Sequence, residues 1–108
     1  MRIPRPFLAA AMAVIVNAAV MTAPAPAQVT DRDAARNLAA TCAICHGTGG
    51  VSQGIVPSLA GTAKDDLSTK LKEFKDGKRT GTIMPQLAKG FSDEQIDLVA
   101  GWYAAQKK

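Results

Sequence analysis

The stretch Thr41–Gly50, TCAICHGTGG, contains both cysteines and the only histidine of the 108-residue chain. Two cysteines separated by two residues can form a disulfide or a redox dithiol, supply half of a zinc site, or attach a haem. The rest of the sequence has to decide among these kinds of site.

The N-terminal segment has the parts of a secretory signal. Basic residues precede an almost wholly apolar run, residues 7–21, and the small residues of a cleavage site follow at Ala25 and Ala27. The apolar run is shorter than the ~20 residues that a membrane-spanning helix needs. We therefore expect residues 1–27 to be removed after export, leaving residues 28–108 in the periplasm with no stable membrane insertion.

The predicted mature chain is short and nearly neutral. Removing the first 27 of 108 residues leaves 81, and the loss of Arg2 and Arg5 lowers the formal charge from +4 to +2. A domain of this size buries little surface, so a large apolar cofactor would strengthen its core. Since no basic stripe with interleaved aromatic residues is present, we expect no nucleic-acid binding.

Start and stop signals predict three helices and no strand. The helices begin at Thr30, Thr62 and Ser92 and end near Cys42, Gly77 and Gln106. Each start has a hydroxyl side chain followed three residues later by Asp or Gln, which is the spacing of a capping box. Gly101 in the last helix either allows a close crossing with the first helix or is merely tolerated. Long irregular segments, 47–61 and 77–91, remain, and they are expected to wrap a bound group.

The cysteine motif, Cys42-Ala43-Ile44-Cys45-His46, fits the C-x-x-C-H spacing of haem c attachment. Two thiols a little under one helical turn apart can each bond one haem vinyl group, and the adjacent imidazole can coordinate the iron. A redox dithiol would begin a helix after a strand, and structural zinc would need a fourth ligand. A structural disulfide stays open but leaves His46 without a role. We predict one haem c, with thioethers at Cys42 and Cys45 and iron ligation by His46.

Met84 is the only methionine that remains after removal of residues 1–27. It lies in a predicted loop, where Pro85 should keep it extended. We predict its thioether as the second axial ligand, with Lys89 or no ligand as alternatives. His/Met ligation leaves no open position on the iron and raises its potential, which is typical of a one-electron carrier and not of an enzyme.

A partner for the histidine can also be predicted. A ligating imidazole usually donates its other N–H to a carbonyl or a carboxylate. The segment 55–59 would place the Pro57 carbonyl beside His46 and Leu59 against the haem. The alternative is that Pro57 is an ordinary turn residue.

Together these motifs resemble class I c-type cytochromes. The resemblance rests on C-x-x-C-H-G at 42–47, P-x-L at 57–59, M-P at 84–85, and a last helix with Gly101 and Tyr103. It implies an all-α fold, the class I cytochrome c fold, in which three main helices and long loops wrap one covalently bound haem and the first and last helices cross. It also implies His46 and Met84 as axial ligands and the Pro57 carbonyl as the partner of His46.

Four longer runs are similar to the cytochrome subunit of flavocytochrome c sulfide dehydrogenase and to cytochromes c4 and c553. They are PSLAG at 57–61, LKEFKDGKR at 71–79, TIM at 82–84 and AKGFSDE at 88–94. Two-haem members of this group carry a second C-x-x-C-H domain, whereas this chain has one such motif.

We therefore expect a periplasmic one-electron carrier that serves redox proteins such as a flavoprotein dehydrogenase or a terminal oxidase. One alternative is a fixed cytochrome subunit of a flavoprotein sulfide dehydrogenase. The other is a haem-based ligand-binding or peroxidatic protein, if Met84 is displaced. Docking should use basic side chains near the haem edge: Lys64, Lys78, Arg79 and Lys89.

Overall fold

The computed structural model describes Ala23, Ala25 and residues 30–108. Apart from these two alanines, the expected signal segment 1–27 lies outside the described residues, and its cleavage stays a prediction. Within the described part of the chain there are helices and no strand, which confirms the all-α prediction. No helix in that part is both long enough and apolar enough to cross a membrane.

Four α-helices form the fold of residues 30–108. They are α1 Asp31–His46, α2 Lys64–Lys75, α3 Met84–Ala88 and α4 Asp93–Ala104, and a 3₁₀ turn, Thr48–Gly50, follows α1. The three longer helices correspond to the three predicted ones. The short helix α3 lies in the segment 77–91, for which the sequence predicts only irregular structure.

Local side-chain caps set the starts of α1 and α4. The Thr30 hydroxyl accepts a hydrogen bond from the Asp33 backbone N–H at 3.2 Å. At α4, the Ser92 hydroxyl accepts from the Gln95 N–H at 3.1 Å, and the Gln95 side chain accepts from the Ser92 N–H at 2.9 Å. These bonds occupy N–H groups that have no partner inside the helix. The predicted start at Ser92 is thereby confirmed.

The predicted start of the second helix is wrong by one residue. Thr62 does not cap α2, whose N-cap is Ala63 without a side-chain hydrogen bond. Asp65 and Asp66 still lie in the first turn, where the positive end of the helix dipole favours carboxylates. The attraction between these carboxylates and the helix dipole therefore takes the place of the hydroxyl cap that the spacing predicts at Thr62.

The predicted end of the second helix is confirmed. Gly77 follows the C-cap Asp76 and has a positive φ of 77°. The Lys78 N–H bonds to the Glu73 carbonyl at 2.8 Å, and the Gly77 N–H bonds to the Phe74 carbonyl at 3.3 Å. This pair of bonds is the Schellman arrangement, which turns the chain out of a helix.

The core lies where α1, α2 and α4 meet. Its buried members are Ala39, Leu67, Val99, Ala100 and Tyr103. A Cβ built on Gly101 would meet the Lys64 side chain at 3.7 Å, and no atom of α1 lies within 4 Å of it. The proposal that Gly101 allows the close crossing is therefore wrong. The small side chains of Ala39 and Ala100, which are 1% and 0% exposed, are in the packed core instead.

Tyr103 connects the last helix to three other parts of the chain. Its side chain is 1% exposed, and its hydroxyl donates a 2.6 Å hydrogen bond to the Ala39 carbonyl in α1. Its own carbonyl accepts from the Gly61 N–H at 2.9 Å, and its ring lies against Gly50. Burial raises the pKa of the Tyr103 phenol to about 12.

Replacing Tyr103 by Phe should lower the free energy of unfolding by about 1 kcal/mol at neutral pH, because the hydroxyl bond is lost while the ring stays.

The pKa of Tyr103 is raised from 10.0 to about 12, so the phenol stabilises the fold fully below pH 10 and this contribution is lost as the pH rises through 12. The wild type should therefore lose additional stability in this pH window, measured by denaturant unfolding at a series of pH values.

The sequence contains a single tyrosine, so the ultraviolet absorbance of tyrosinate reports its ionisation directly. The Phe variant controls for all other groups that titrate at high pH. Parallel stability curves for the two proteins above pH 10 would show that the phenol proton does not stabilise the fold.

Candidate functional site

The C-terminal end of α1 presents the cysteine motif. Cys42 is partly buried and packs against the core, whereas Cys45 is exposed, and both are free thiols. His46 is the last residue of the helix and is only 9% exposed. The helix ends there because Gly47, with φ 88°, turns the chain away. The helix therefore continues four residues past the end predicted near Cys42, and the whole motif lies in its last turns.

The His46 ring is held by the following loop. Its Nδ1 lies 2.6 Å from the Pro57 carbonyl oxygen, as the segment 55–59 leads one to expect. A carbonyl oxygen can only accept, so Nδ1 carries the hydrogen. In the neutral ring the lone pair then resides on Nε2. Every buried side-chain nitrogen or oxygen in the described residues has a hydrogen-bond partner. An Nε2 without such a partner is therefore accessible from outside the protein. His46 is therefore an oriented ring with one nitrogen ready to bind a metal.

The loop 47–61 positions Pro57 by folding back on itself. The Gly50 carbonyl accepts from the Leu59 N–H at 2.8 Å and from the Ala60 N–H at 3.1 Å. The Ser58 hydroxyl accepts from the Ser52 N–H at 2.9 Å. Leu59 packs against the core cluster. The role of Gly50 has no local signal in the sequence, because it depends on residues that follow at Leu59 and Ala60.

Met84 is the first residue of α3 and is partly buried. The expectation of an extended loop is wrong here. Pro85 lies in the first turn of α3, where a proline is favoured because its missing N–H would have no helical partner. The helix therefore starts at the methionine.

The segment before Met84 is held against α2 by an aromatic contact. A Cβ built on Gly81 would lie 3.2 Å from Phe74 Cε1 and 3.2 Å from Pro85 Cδ, so the backbone approaches the ring closely. The Arg79 guanidinium lies 5.6 Å from the centre of the same ring and pairs with Glu73 at 2.8 Å. The main packing partner of α3 is likewise α2.

The structure thus distributes the candidate site residues over separate elements. It brings His46 and Pro57 into direct contact and packs Cys42 and Leu59 against one core cluster. Met84 lies on α3, which is linked to α1 through α2 and α4. A ligand held by both His46 and Met84 would therefore join two parts of the fold.

The alternatives of a redox dithiol and a zinc site find little support in this geometry. Burial raises the pKa of the Cys42 thiol, whereas the attacking thiol of a redox dithiol has a lowered pKa. Within residues 30–108, no group of three or more His, Cys, Asp or Glu side chains is arranged to hold a metal ion. The zinc alternative therefore lacks the ligands of a structural site.

The residues present do fit a haem c group. An oriented imidazole and two free thiols lie within one helix end, which is the donor set that such a group needs. The large apolar side chains that are exposed in the described part of the chain all lie in residues 44–55 and 83–87: Ile44, Val51, Ile55, Ile83 and Leu87. These segments also carry or flank His46 and Met84. Large apolar side chains exposed in the segments that carry the candidate ligands are available to contact an apolar group or partner.

Comparison with known proteins shows the family of the chain. Residues 21–102 match the family model described as cytochrome c oxidase, cbb3-type, subunit III. The chain is 41% identical over 71 residues to the cytochrome subunit of sulfide dehydrogenase from Chlorobaculum tepidum, which covers 66% of this chain and 64% of that protein.

Two further relatives are covered by the chain to very different extents. It is 36% identical over 81 residues to cytochrome c-554(548) of Halomonas halodenitrificans, covering 71% of this chain and 98% of that protein. It is 37% identical over 78 residues to cytochrome c4 of Pseudomonas aeruginosa, covering 71% of this chain and 39% of that protein. The chain thus spans less than two thirds of the sulfide dehydrogenase subunit and nearly all of the shorter cytochrome.

Three glycines of the loop after α1 should respond differently to alanine. A Cβ on Gly50 would lie 2.6 Å from Tyr103 Cδ1 and 2.9 Å from the Ala60 nitrogen, at a φ of 81°. Gly49 has a φ of 64° but open space around it, and Gly54 has open space without a positive φ. Gly50→Ala should lower the free energy of unfolding by about 3 kcal/mol, Gly49→Ala by about 1 kcal/mol, and Gly54→Ala by less than about 0.5 kcal/mol.

Denaturant unfolding of the three variants separates backbone strain, seen at Gly49, from the added clash, seen at Gly50. Equal losses at Gly49 and Gly50 would mean that the ring of Tyr103 moves aside without cost, and would refute the packing argument.

Proposed function

The chain belongs to the cytochrome c family, and we propose that it is a periplasmic one-electron carrier with one covalently attached haem c. The observation that carries the proposal is the His46–Pro57 hydrogen bond within a C-x-x-C-H helix end, which directs the His46 Nε2 lone pair to a metal. Haem c supplies an iron that changes by one electron between its ferric and ferrous states. Export and removal of residues 1–27 are part of this proposal.

Each candidate residue has a definite role in the proposal. Cys42 and Cys45 form the two thioethers, and His46 binds the iron through Nε2. The Pro57 carbonyl holds the ring and raises its basicity, while Leu59 covers the group with apolar surface. These roles follow from one helix end and the loop 47–61 that folds back beside it.

In the proposal, Met84 would hold the iron together with His46. Small molecules would then find no open position on the iron, and the neutral thioether would favour the ferrous state. The relatives are cytochromes, cytochrome subunits or an electron acceptor of a dehydrogenase. The occupied iron positions and the names of the relatives both support electron transfer by the chain, with no catalysis of its own.

Carbon monoxide should distinguish the carrier from a ligand-binding haem protein. The reduced wild-type protein should show almost no spectral change when carbon monoxide is added, because Met84 occupies the iron. Met84→Ala should bind carbon monoxide promptly, since the sixth position is then open. Visible spectra of the exported protein measure both.

Leu87→Ala is the matched control, because Leu87 is an exposed apolar residue in the same short helix, three positions after Met84. Intact mass of the same samples should show one added haem and a chain without residues 1–27. Prompt carbon monoxide binding by the wild type would support the alternative of a ligand-binding or peroxidatic protein.

A second candidate function is that of a fixed cytochrome subunit in a flavoprotein sulfide dehydrogenase. The 41% identity to the Chlorobaculum tepidum subunit favours it. In either role the partner is a redox protein, and a terminal oxidase is a suitable acceptor for a free carrier. Stable co-purification with a flavoprotein would indicate the fixed subunit, whereas a free carrier would purify alone.

The expected docking side chains differ in their freedom to meet such a partner. Arg79 is engaged by Glu73 and the Phe74 ring, and Lys64 lies beside Gly101 in α4. Lys78 and Lys89 are exposed at the two ends of the segment that contains Met84. We therefore place the electrostatic contribution to docking on Lys78 and Lys89.

The rate of reduction by a purified sulfide dehydrogenase flavoprotein should fall as salt rises, because the encounter is steered by charge. Lys78→Gln combined with Lys89→Gln should lower the rate about threefold to tenfold at low salt. Stopped-flow absorbance of the haem measures it. The matched change Lys107→Gln, beyond the end of α4, should leave the rate unchanged. A rate insensitive to salt would rule out electrostatic docking.

A further inference from the structure

The packing of the four helices divides the fold into two ligand-bearing halves. α1, which carries His46, packs on α4, and α3, which carries Met84, packs on α2. The contact between α2 and α4 joins the two halves. Any force that holds α2 against α4 therefore also determines where Met84 lies relative to His46.

A polar cluster crosses this junction beside the apolar core. Asp97 of α4 accepts a 2.5 Å hydrogen bond from the Ser68 hydroxyl of α2 and a 3.0 Å bond from the Lys72 ammonium. Both bonds end on the same carboxylate oxygen, Oδ1. One turn towards the start of α4, Asp93 pairs with Lys75 at 2.9 Å. We name Ser68, Lys72 and Asp97 the interhelix clamp.

Burial of the serine makes the clamp more than a surface ion pair. Ser68 is 8% exposed, so removal of its acceptor would leave a buried hydroxyl in need of a new partner. The Ser68 and Lys72 hydrogen bonds hold the pKa of Asp97 below its usual value, because both donors favour the charged carboxylate. The Lys72 and Asp97 side chains are themselves 36% and 45% exposed, and an ion pair of this kind contributes little to stability. The hydrogen bond to the buried serine is therefore the main part of the clamp.

We propose that Asp97 is a positioning residue for electron transfer: through Ser68 and Lys72 it holds α2, and with it α3 and Met84, in register with the half that carries His46. This inference rests on the His/Met ligation of the proposed function. Loss of the clamp increases the fraction of time that the Met84 thioether is away from the iron. The apolar core at the same junction still keeps the helices folded.

The experiment compares Asp97→Ala with Asp66→Ala in the ferric haem protein. Asp66 is the matched control, because it pairs with Lys70 at 2.8 Å within α2 and does not cross to another helix. Exogenous imidazole competes with Met84 for the iron, so its apparent affinity reports how often the thioether is released. The affinity should rise about twofold to tenfold for Asp97→Ala and stay unchanged for Asp66→Ala.

Three further variants should give imidazole affinities between those of the wild type and Asp97→Ala. Ser68→Ala and Asp97→Asn each remove part of the clamp and should raise the imidazole affinity by less than Asp97→Ala does. Asp97→Glu keeps the charge and should recover part of the wild-type value. These milder changes keep the test valid even if Asp97→Ala does not fold.

Denaturant unfolding of the same samples separates positioning from simple stability. A lower unfolding midpoint with an unchanged imidazole affinity would overturn the positioning role, and so would no change in either quantity. The weak red absorption band of a ferric haem with a thioether ligand serves as the reference in the wild type. Absence of that band would refute Met84 ligation, and with it the proposed function, before any variant is compared.

Discussion

The structure depends on the burial of one tyrosine at the crossing of α1 and α4. Tyr103 is 1% exposed and donates its hydroxyl hydrogen to the Ala39 carbonyl, three residues before Cys42. The same residue contacts Gly50 through its ring and Gly61 through its carbonyl. A buried hydroxyl needs a partner, and this requirement sets the distance between the two helices and the path of the loop that carries Pro57. The cysteine motif is therefore held by an interaction outside the motif.

The two proposed axial ligands are held by different kinds of force. His46 lies at the end of a long helix in the packed core, with its ring locked by a single backbone carbonyl. Met84 lies on a helix of five residues, which is too short to be stable alone and is held by α2. If Met84 binds the iron as proposed, it would be able to leave the iron without unfolding of the core. The polar contacts between α2 and α4 then matter for the site, although they lie away from it.

Local signals predict the fold where the deciding atoms are close in sequence. The capping box at Ser92 and the left-handed Gly77 involve partners within a few residues. The end of the first helix was predicted less well, since α1 continues past Cys42 to His46. The failures have longer-range causes. Thr62 has the correct spacing for a cap, but its backbone N–H is bonded back to Leu59 and the helix begins after it. Gly101 suggests a close crossing, yet the Lys64 side chain lies next to it.

For the candidate site, the proposed donor set can be read from the sequence: the C-x-x-C-H spacing, the single histidine, and a methionine followed by proline. It also indicated that the Pro57 carbonyl would meet His46. Three features became visible only in the folded chain: Met84 begins a helix, Tyr103 and Gly50 pack together, and Asp97 links α2 to α4. The reason is physical. Ligand identity is a property of single side chains at fixed spacing, whereas register between helices depends on contacts between residues far apart in the chain.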